Sequence, residues 1–226
     1  MDRIKYLAIV FFMVLVVGVA RAQQSGEQIG APQSPQVLIQ GITNQVLAAI
    51  IEADSYYGED PERFYSTVER IMAPVMDYQT FARTVMGRYG SSSAYRALTT
   101  DEDRQQFRNR VESFTKVFRQ TMMNTYGKGL MAFNGEEITV LPLDEENMAS
   151  LKVGGYVQIV QVIHGEDGSD TSIYSKLKPN RDGEWKIRNV VIDTINLGKV
   201  YQSQFASAVK DSDGDIDKAI IAWAES

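Results

Sequence analysis

Apolar residues recur at steps of three and four through the first part of the chain, which is the spacing of one helix face. Pro35 suits a first helical turn, and Asp60 followed by Pro61 is typical of a helix start, because the aspartate caps free backbone N–H groups. Gly127 is expected to end the last and longest of these helices. The pattern predicts helices over residues 35–55, 61–73, 78–86 and 101–126.

After residue 136 the pattern changes to alternation with many β-branched residues, which predicts strands. Glycine-containing segments such as Asp182-Gly183 separate the apolar runs and predict turns. In the last run Trp185 and Ile187 share one face, whereas Val190 has the opposite parity. We therefore expect a β-bulge near Asn189 that restores one inner face. The four predicted strands span Glu137–Leu143, Tyr156–His164, Thr171–Lys178 and Glu184–Asp193.

Two further helices are predicted at the end of the chain, one from Leu197 and one over Asp215–Glu225. Helices come first, strands joined by turns follow, and helices close the chain, which is the order of an α+β fold. We expect an antiparallel, curved, four-stranded meander with a layer of helices on its concave side.

The first residues have the features of a secretory signal peptide. A positively charged start precedes an apolar run from Leu7 to Val19, and small residues stand at Ala20 and Ala22. The run is shorter than the roughly 20 apolar residues of a membrane-spanning helix. We expect a signal peptide over residues 1–22, a flexible leader over 23–34 and one domain over 35–226.

Composition and charge disfavour several classes of function. The formal net charge is −6, which disfavours binding to nucleic acid and to anionic membrane surfaces. Because there is no cysteine, stability has to come from a packed core without disulfides. The single histidine, His164, stands where a strand is expected to enter a turn, and nothing near it resembles the nucleophile motif of a hydrolase.

Two acidic stretches are candidates for chemistry. The segment Asp211–Asp217 resembles a calcium loop, but an EF-hand needs glycine and glutamate where Ile216 and Ala222 stand. Acidic residues at this place favour the start of a helix through its dipole. Asp144–Glu146, beside the first strand, is more typical of a solvated turn than of paired catalytic carboxylates. We predict no catalytic residue and no metal ligand.

The remaining feature is an excess of phenylalanine and methionine on the long helix, which is expected to face the sheet. These side chains form either a close-packed core or the wall of a pocket for an acyl chain. Periodicity is the same in both cases, and both interpretations stay open.

Motifs in three stretches of the chain match one known family. Asp77–Tyr89 has an Asp-x-x-x-Phe-Ala-Arg-x-Val-x-Gly pattern, and Leu98–Phe107 starts the long helix with Leu-Thr. The third stretch combines Tyr174–Leu177, Trp185–Ile192 and Tyr201–Phe205 in a fixed order. The motifs resemble those of MlaC, the periplasmic phospholipid-binding component of Mla lipid-transport systems, also called the toluene-tolerance family. The resemblance covers about residues 35–224. The chain departs from the family motifs at three positions: Asn189 stands where the family usually has Asp, Thr194 where it has Gly, and Gln202 where it has Arg.

The resemblance implies a non-enzymatic shuttle in the periplasm, with no cofactor besides its phospholipid cargo. It implies transport between the outer and inner membranes that maintains outer-membrane lipid asymmetry. The implied partners are an inner-membrane Mla-type ABC transporter complex and an outer-membrane lipoprotein–porin complex, with no nucleic acid. The helices and the curved sheet are expected to enclose an apolar acyl-chain cavity lined by Phe81, Phe107, Val111, Phe114, Phe118, Leu177, Trp185, Ile187, Val190 and Ile192.

Three other functions stay open. The first is a carrier of another apolar cargo, such as a hopanoid or a hydrocarbon solvent. The second is an α+β enzyme with an acid in its cavity. The third is a structural envelope protein without a ligand. The enzyme is disfavoured because inward strand positions such as Ile138, Ile173 and Leu177 are apolar.

Overall fold

The structure is a computed structural model that describes residues 34–133, 135–165 and 168–225. The predicted signal peptide and all but Ser34 of the predicted leader lie outside these residues. Among the described residues, no helix is both long enough and apolar enough to cross a membrane.

Helices make up most of the described chain, and they begin where the sequence supplies caps. Asp60, Asp77 and Thr100 each accept a hydrogen bond from a backbone N–H in the first turn that follows. A short 3₁₀ helix, Gly87–Gly90, follows the third helix. The α-helices are α1 (Pro35–Ala53), α2 (Pro61–Met72), α3 (Tyr78–Val85), α4 (Ser92–Ala97), α5 (Asp101–Leu130), α6 (Glu145–Lys152), α7 (Leu197–Asp211) and α8 (Ile216–Ala224).

The strands form one antiparallel sheet in the order β1-β2-β3-β4-β5, so the predicted α+β meander is confirmed. The sheet has five strands and not four, because a two-residue strand after the last predicted strand pairs Asn196 with Val191. The predicted bulge is also present: Lys176 pairs with Asn189 and Leu177 with Ile187, which leaves one extra residue. The strands are β1 (Glu137–Val140), β2 (Val157–His164), β3 (Asp170–Pro179), β4 (Trp185–Ile192) and β5 (Ile195–Asn196).

One predicted turn and one predicted helix end are wrong. The acidic stretch read as a solvated turn begins α6, since the Asp144 side chain accepts a hydrogen bond from the Asn147 N–H, so a helix links β1 and β2. Gly127 does not end α5, which continues to the fully buried Leu130. A Cβ at Gly127 would lie 2.7 Å from the Tyr65 ring. Glycine at this position therefore permits the close approach of a tyrosine ring from α2.

The helices form two groups around one continuous core. Helix α1 and the end of α2 cover the inner face of the sheet, whose side chains alternate between buried and partly exposed along β2 and β4. Helices α3, α5, α7 and α8 pack together through aromatic side chains. Arg110 on α5 donates to both carboxylate oxygens of Asp217 on α8, at 2.8 and 2.6 Å. This ion pair joins α8 to α5 in the second group.

Candidate functional site

Among the spaces lined by described residues, we compare two as sites for a ligand, because they differ most in shape and chemistry. The first, which we call the sheet chamber, lies between α1 and the inner face of the sheet and has a volume of about 40 Å³. The second, the arginine cleft, is an open groove of about 660 Å³ between α3, α4 and α5.

The wall of the sheet chamber is mainly apolar because inward positions of the strands face one side of α1. The bulge in β4 turns Val190 to the same face as Ile187, and Met76 forms a β-bridge with Ile187 beside it. None of the described lining residues is charged. The wall consists of Ile39, Ile42, Thr43 and Val46 from α1, Met72 and Met76, and Gln161, Ser175, Ile187 and Val190 from the sheet.

The arginine cleft has an aromatic floor and cationic sides. The Tyr95 and Phe107 rings lie with their centroids 5.3 Å apart, and Arg108 Nη1 donates to the Tyr95 hydroxyl at 2.9 Å. Arg83 Nε donates to the Gly90 carbonyl at 2.8 Å, and Arg96 also lines the cleft. Because the cleft is open and rich in polar groups, a hydrocarbon chain in it would keep much of its surface in water. Burial of apolar surface therefore favours the sheet chamber as the place for such a chain.

The ten predicted cavity residues are not brought together in one space. Ile187 and Val190 line the sheet chamber, whereas Phe107 and Val111 line the arginine cleft. The buried side chains of Leu177, Trp185 and Ile192 lie on the same sheet face as Ile187 and Val190.

The other three, Phe81, Phe114 and Phe118, are fully buried in an aromatic cluster of the second helical group. The Phe118 ring centroid lies 5.1 Å from that of Phe81 and 5.9 Å from that of Phe114. Phe114 also contacts the Phe205 ring, with the centroids 4.5 Å apart, and the Trp223 ring at 5.4 Å. These three side chains are therefore surrounded by other rings and stand apart from the lining of the sheet chamber.

Among the described residues that line the chamber there is no Asp, Glu, His, Lys, Arg or Tyr, and titratable groups elsewhere in the core are held by other contacts. Tyr201 donates to the Tyr126 hydroxyl at 3.1 Å in the core, and burial raises the pKa of both phenols, so both stay protonated at neutral pH. The hydrogen bonds from Arg110 lower the pKa of Asp217, whose carboxylate is therefore charged and held in an ion pair. Among the described residues, no group of three or more His, Cys, Asp or Glu side chains is placed to hold a metal ion.

Sequence reasoning missed most of the chamber wall. The sequence shows an apolar stripe on α1 that includes Ile39, Ile42 and Val46. Helical periodicity does not tell which other element of the fold this stripe faces. Gln161 and Ser175 were overlooked among the inward strand positions. Their parity places them there, because Gln161 has the same parity as Ile159 and Ile163 on β2, and Ser175 has the same parity as Ile173 and Leu177 on β3. The inward face is therefore not wholly apolar, although neither polar residue is an acid or a histidine.

Two of the departures from the family motifs have clear structural roles. Asn189 accepts a hydrogen bond from the Gly198 N–H at 3.2 Å and donates to the Asn196 side chain at 3.1 Å, which fixes the start of α7. Gln202 Nε2 donates to the Thr84 carbonyl at 2.9 Å and ties α7 to α3. Both residues therefore connect helices to the scaffold and lie away from the chamber lining.

Comparisons with known proteins agree on one family. The model of the family described as "MlaC protein" matches residues 40–225. The toluene tolerance protein ttg2D of Pseudomonas putida is 30% identical over 194 residues, which cover 86% of this chain and 81% of that protein. A solved structure of a phospholipid-binding protein from Ralstonia solanacearum, in complex with a phospholipid, shares the fold with a TM-score of 0.65 and 17% identity, covering 84% of this chain and 94% of that one. The chain belongs to the MlaC family.

Proposed function

We propose that this protein is a phospholipid carrier that holds acyl chains between α1 and the inner face of the sheet. The observation that carries the proposal is the uncharged, mainly apolar chamber between α1 and the inner face of the antiparallel sheet. Family membership and the shared fold with a structure that contains a phospholipid support it. Each buried CH₂ group contributes about 0.8 kcal/mol, so the chains of one lipid would be held firmly in water.

An acyl chain needs more room than the chamber has. A volume of about 40 Å³ is of the order of one or two water molecules, whereas ligand pockets typically measure about 300–1,000 Å³. Lipid entry therefore requires α1 to move away from the sheet. The flexible side chains of Met72 and Met76 at the chamber edge suit a wall that changes shape.

The proposal extends to the place and route of transport. Residues 1–22 act as a signal peptide that exports the chain to the periplasm, and residues 35–226 form one lipid-binding domain. The protein takes lipid from one membrane complex and delivers it to the other, without catalysis and without a cofactor. The exchange partners are the inner-membrane Mla-type ABC transporter complex and the outer-membrane lipoprotein–porin complex, and the result is outer-membrane lipid asymmetry.

Lipid analysis of the exported protein tests this proposal. The full chain is expressed in a Gram-negative host and purified from the periplasm without detergent, and native mass spectrometry is combined with solvent extraction. We expect a mature chain starting at Gln23 that carries one phospholipid. A folded protein without lipid would contradict carrier function and favour a structural role. A hopanoid or a hydrocarbon in place of phospholipid would assign a different cargo.

A further inference from the structure

The buried polar side chains of the described residues are concentrated in one place. The core is otherwise built from apolar residues, and the buried polar side chains in it are those of Thr43, Gln161 and Ser175, each less than one-tenth exposed. All three line the sheet chamber. Burial of a polar group is costly unless a partner satisfies it, so a cluster of such groups at an apolar cavity calls for a specific explanation.

The three side chains have more hydrogen-bond donors than they use among themselves. Gln161 Nε2 donates to Thr43 Oγ1 at 3.2 Å. One amide proton of Gln161 and the hydroxyl protons of Thr43 and Ser175 are left for other acceptors. Among the described residues, Ser175 Oγ has no side-chain hydrogen bond, and it lies on the chamber wall.

The sheet register places these donors close together. Ser175 pairs with Ile159 on β2, and Gln161 follows Ile159 by two residues on the same face. The two side chains are therefore diagonal neighbours on the inner surface, about 7–8 Å apart at the backbone. Thr43 approaches them from α1 through its bond to Gln161. The result is a compact donor site inside an apolar wall.

The chemistry of the site selects a neutral acceptor. A phosphate group would need a cation, and no lysine, arginine or histidine is among the described residues of the chamber wall. A pure hydrocarbon would leave the donors unpaired. We propose that Thr43, Gln161 and Ser175 bind the ester carbonyl oxygens of a diacyl phospholipid, which are neutral, accept hydrogen bonds only and stand on adjacent glycerol carbons. This inference rests on the proposed function and adds a preference for ester-linked over ether-linked chains.

A competition between two lipids tests the donor site. Delipidated protein is incubated with vesicles that contain equal amounts of diacyl and dialkyl-ether phosphatidylcholine with the same chain length, then reisolated and analysed by mass spectrometry. The headgroup and the hydrocarbon are matched, so uptake differs only through the carbonyl groups. We expect the native protein to take the ester lipid about tenfold in preference, from net hydrogen bonds of ordinary strength.

Substitutions test whether the hydrogen-bond donors of the site cause the preference for the ester lipid. Gln161→Met with Ser175→Ala removes donors while keeping the approximate side-chain volume, and we expect it to load both lipids about equally. Gln158→Met is the matched control, since Gln158 is exposed on the outer face of the same strand, and it should keep the preference. If the double variant does not fold, as judged by circular dichroism, Ser175→Ala alone is expected to lower the preference about threefold.

The outcomes separate this inference from the proposed function. Equal uptake of both lipids by the native protein, or an unchanged preference in the donor variants, would overturn the ester site while leaving the carrier in place. Failure of the native protein to load either lipid would overturn both.

Discussion

Val190→Phe is expected to abolish phospholipid binding while leaving the protein folded. Val190 is buried on the chamber wall at the point where the bulge returns β4 to the inner face. A phenyl ring there fills the space that an acyl chain has to enter. Overpacking a core usually costs about 1–3 kcal/mol of stability, and the empty space of the chamber reduces this cost because it accommodates part of the ring. The total stability of a protein is about 5–15 kcal/mol, so the variant should stay folded. The measurement is the lipid content of purified protein by native mass spectrometry, together with its thermal melting.

The neighbouring residue provides the matched control. Val191 pairs with Tyr174 and points to the outer face of the same strand, so Val191→Phe makes the same chemical change outside the chamber. This variant should carry as much lipid as the native protein. If Val190→Phe is folded and also retains full lipid content, acyl chains do not pass along this wall.

Phe118→Ala is expected to lower the free energy of unfolding by about 3–5 kcal/mol. Phe118 is fully buried, and its ring contacts those of Phe81, Phe114 and Tyr201. Truncation leaves a cavity in the aromatic cluster that the surrounding rings cannot close. Chemical denaturation followed by circular dichroism measures the loss.

Phe118→Leu separates packing from ligand contact. It keeps much of the apolar volume, so we expect a smaller loss of stability and native lipid content. A stability change below about 1 kcal/mol for Phe118→Ala, with lipid lost from a folded protein, would instead place Phe118 on the lipid-binding surface.

The sheet and most of the helices were predictable from local signals. Alternation predicts β2, β3 and β4, and the parity change after Ile187 predicts the bulge that the register of β3 and β4 shows. Helix α6 was missed because its acidic start reads equally well as a turn, although Asp144 is a good cap. The end of α5 was misplaced because glycine usually ends a helix, whereas Gly127 is required by the neighbouring Tyr65 ring.

The candidate site was less predictable, for a physical reason. Apolar periodicity shows which side of an element is buried but not which other element buries it. The stripe on α5 was therefore assigned to the sheet, whereas Phe114 and Phe118 face the rings of α3, α7 and α8. The stripe on α1 has the same period and lines the chamber. The role of Gln161 and Ser175 follows only from their burial side by side in the chamber wall, which the sequence pattern does not show.

Photo-crosslinking with a phospholipid that carries a diazirine within one acyl chain tests the central claim most directly. The loaded protein is irradiated and digested, and the labelled residues are identified by mass spectrometry. We predict labels on the α1 side chains between Ile39 and Val46 and on Ile187 and Val190 of the sheet. Labels confined to Tyr95, Phe107 and Val111 would place the chain in the arginine cleft and contradict an acyl-chain site between α1 and the sheet.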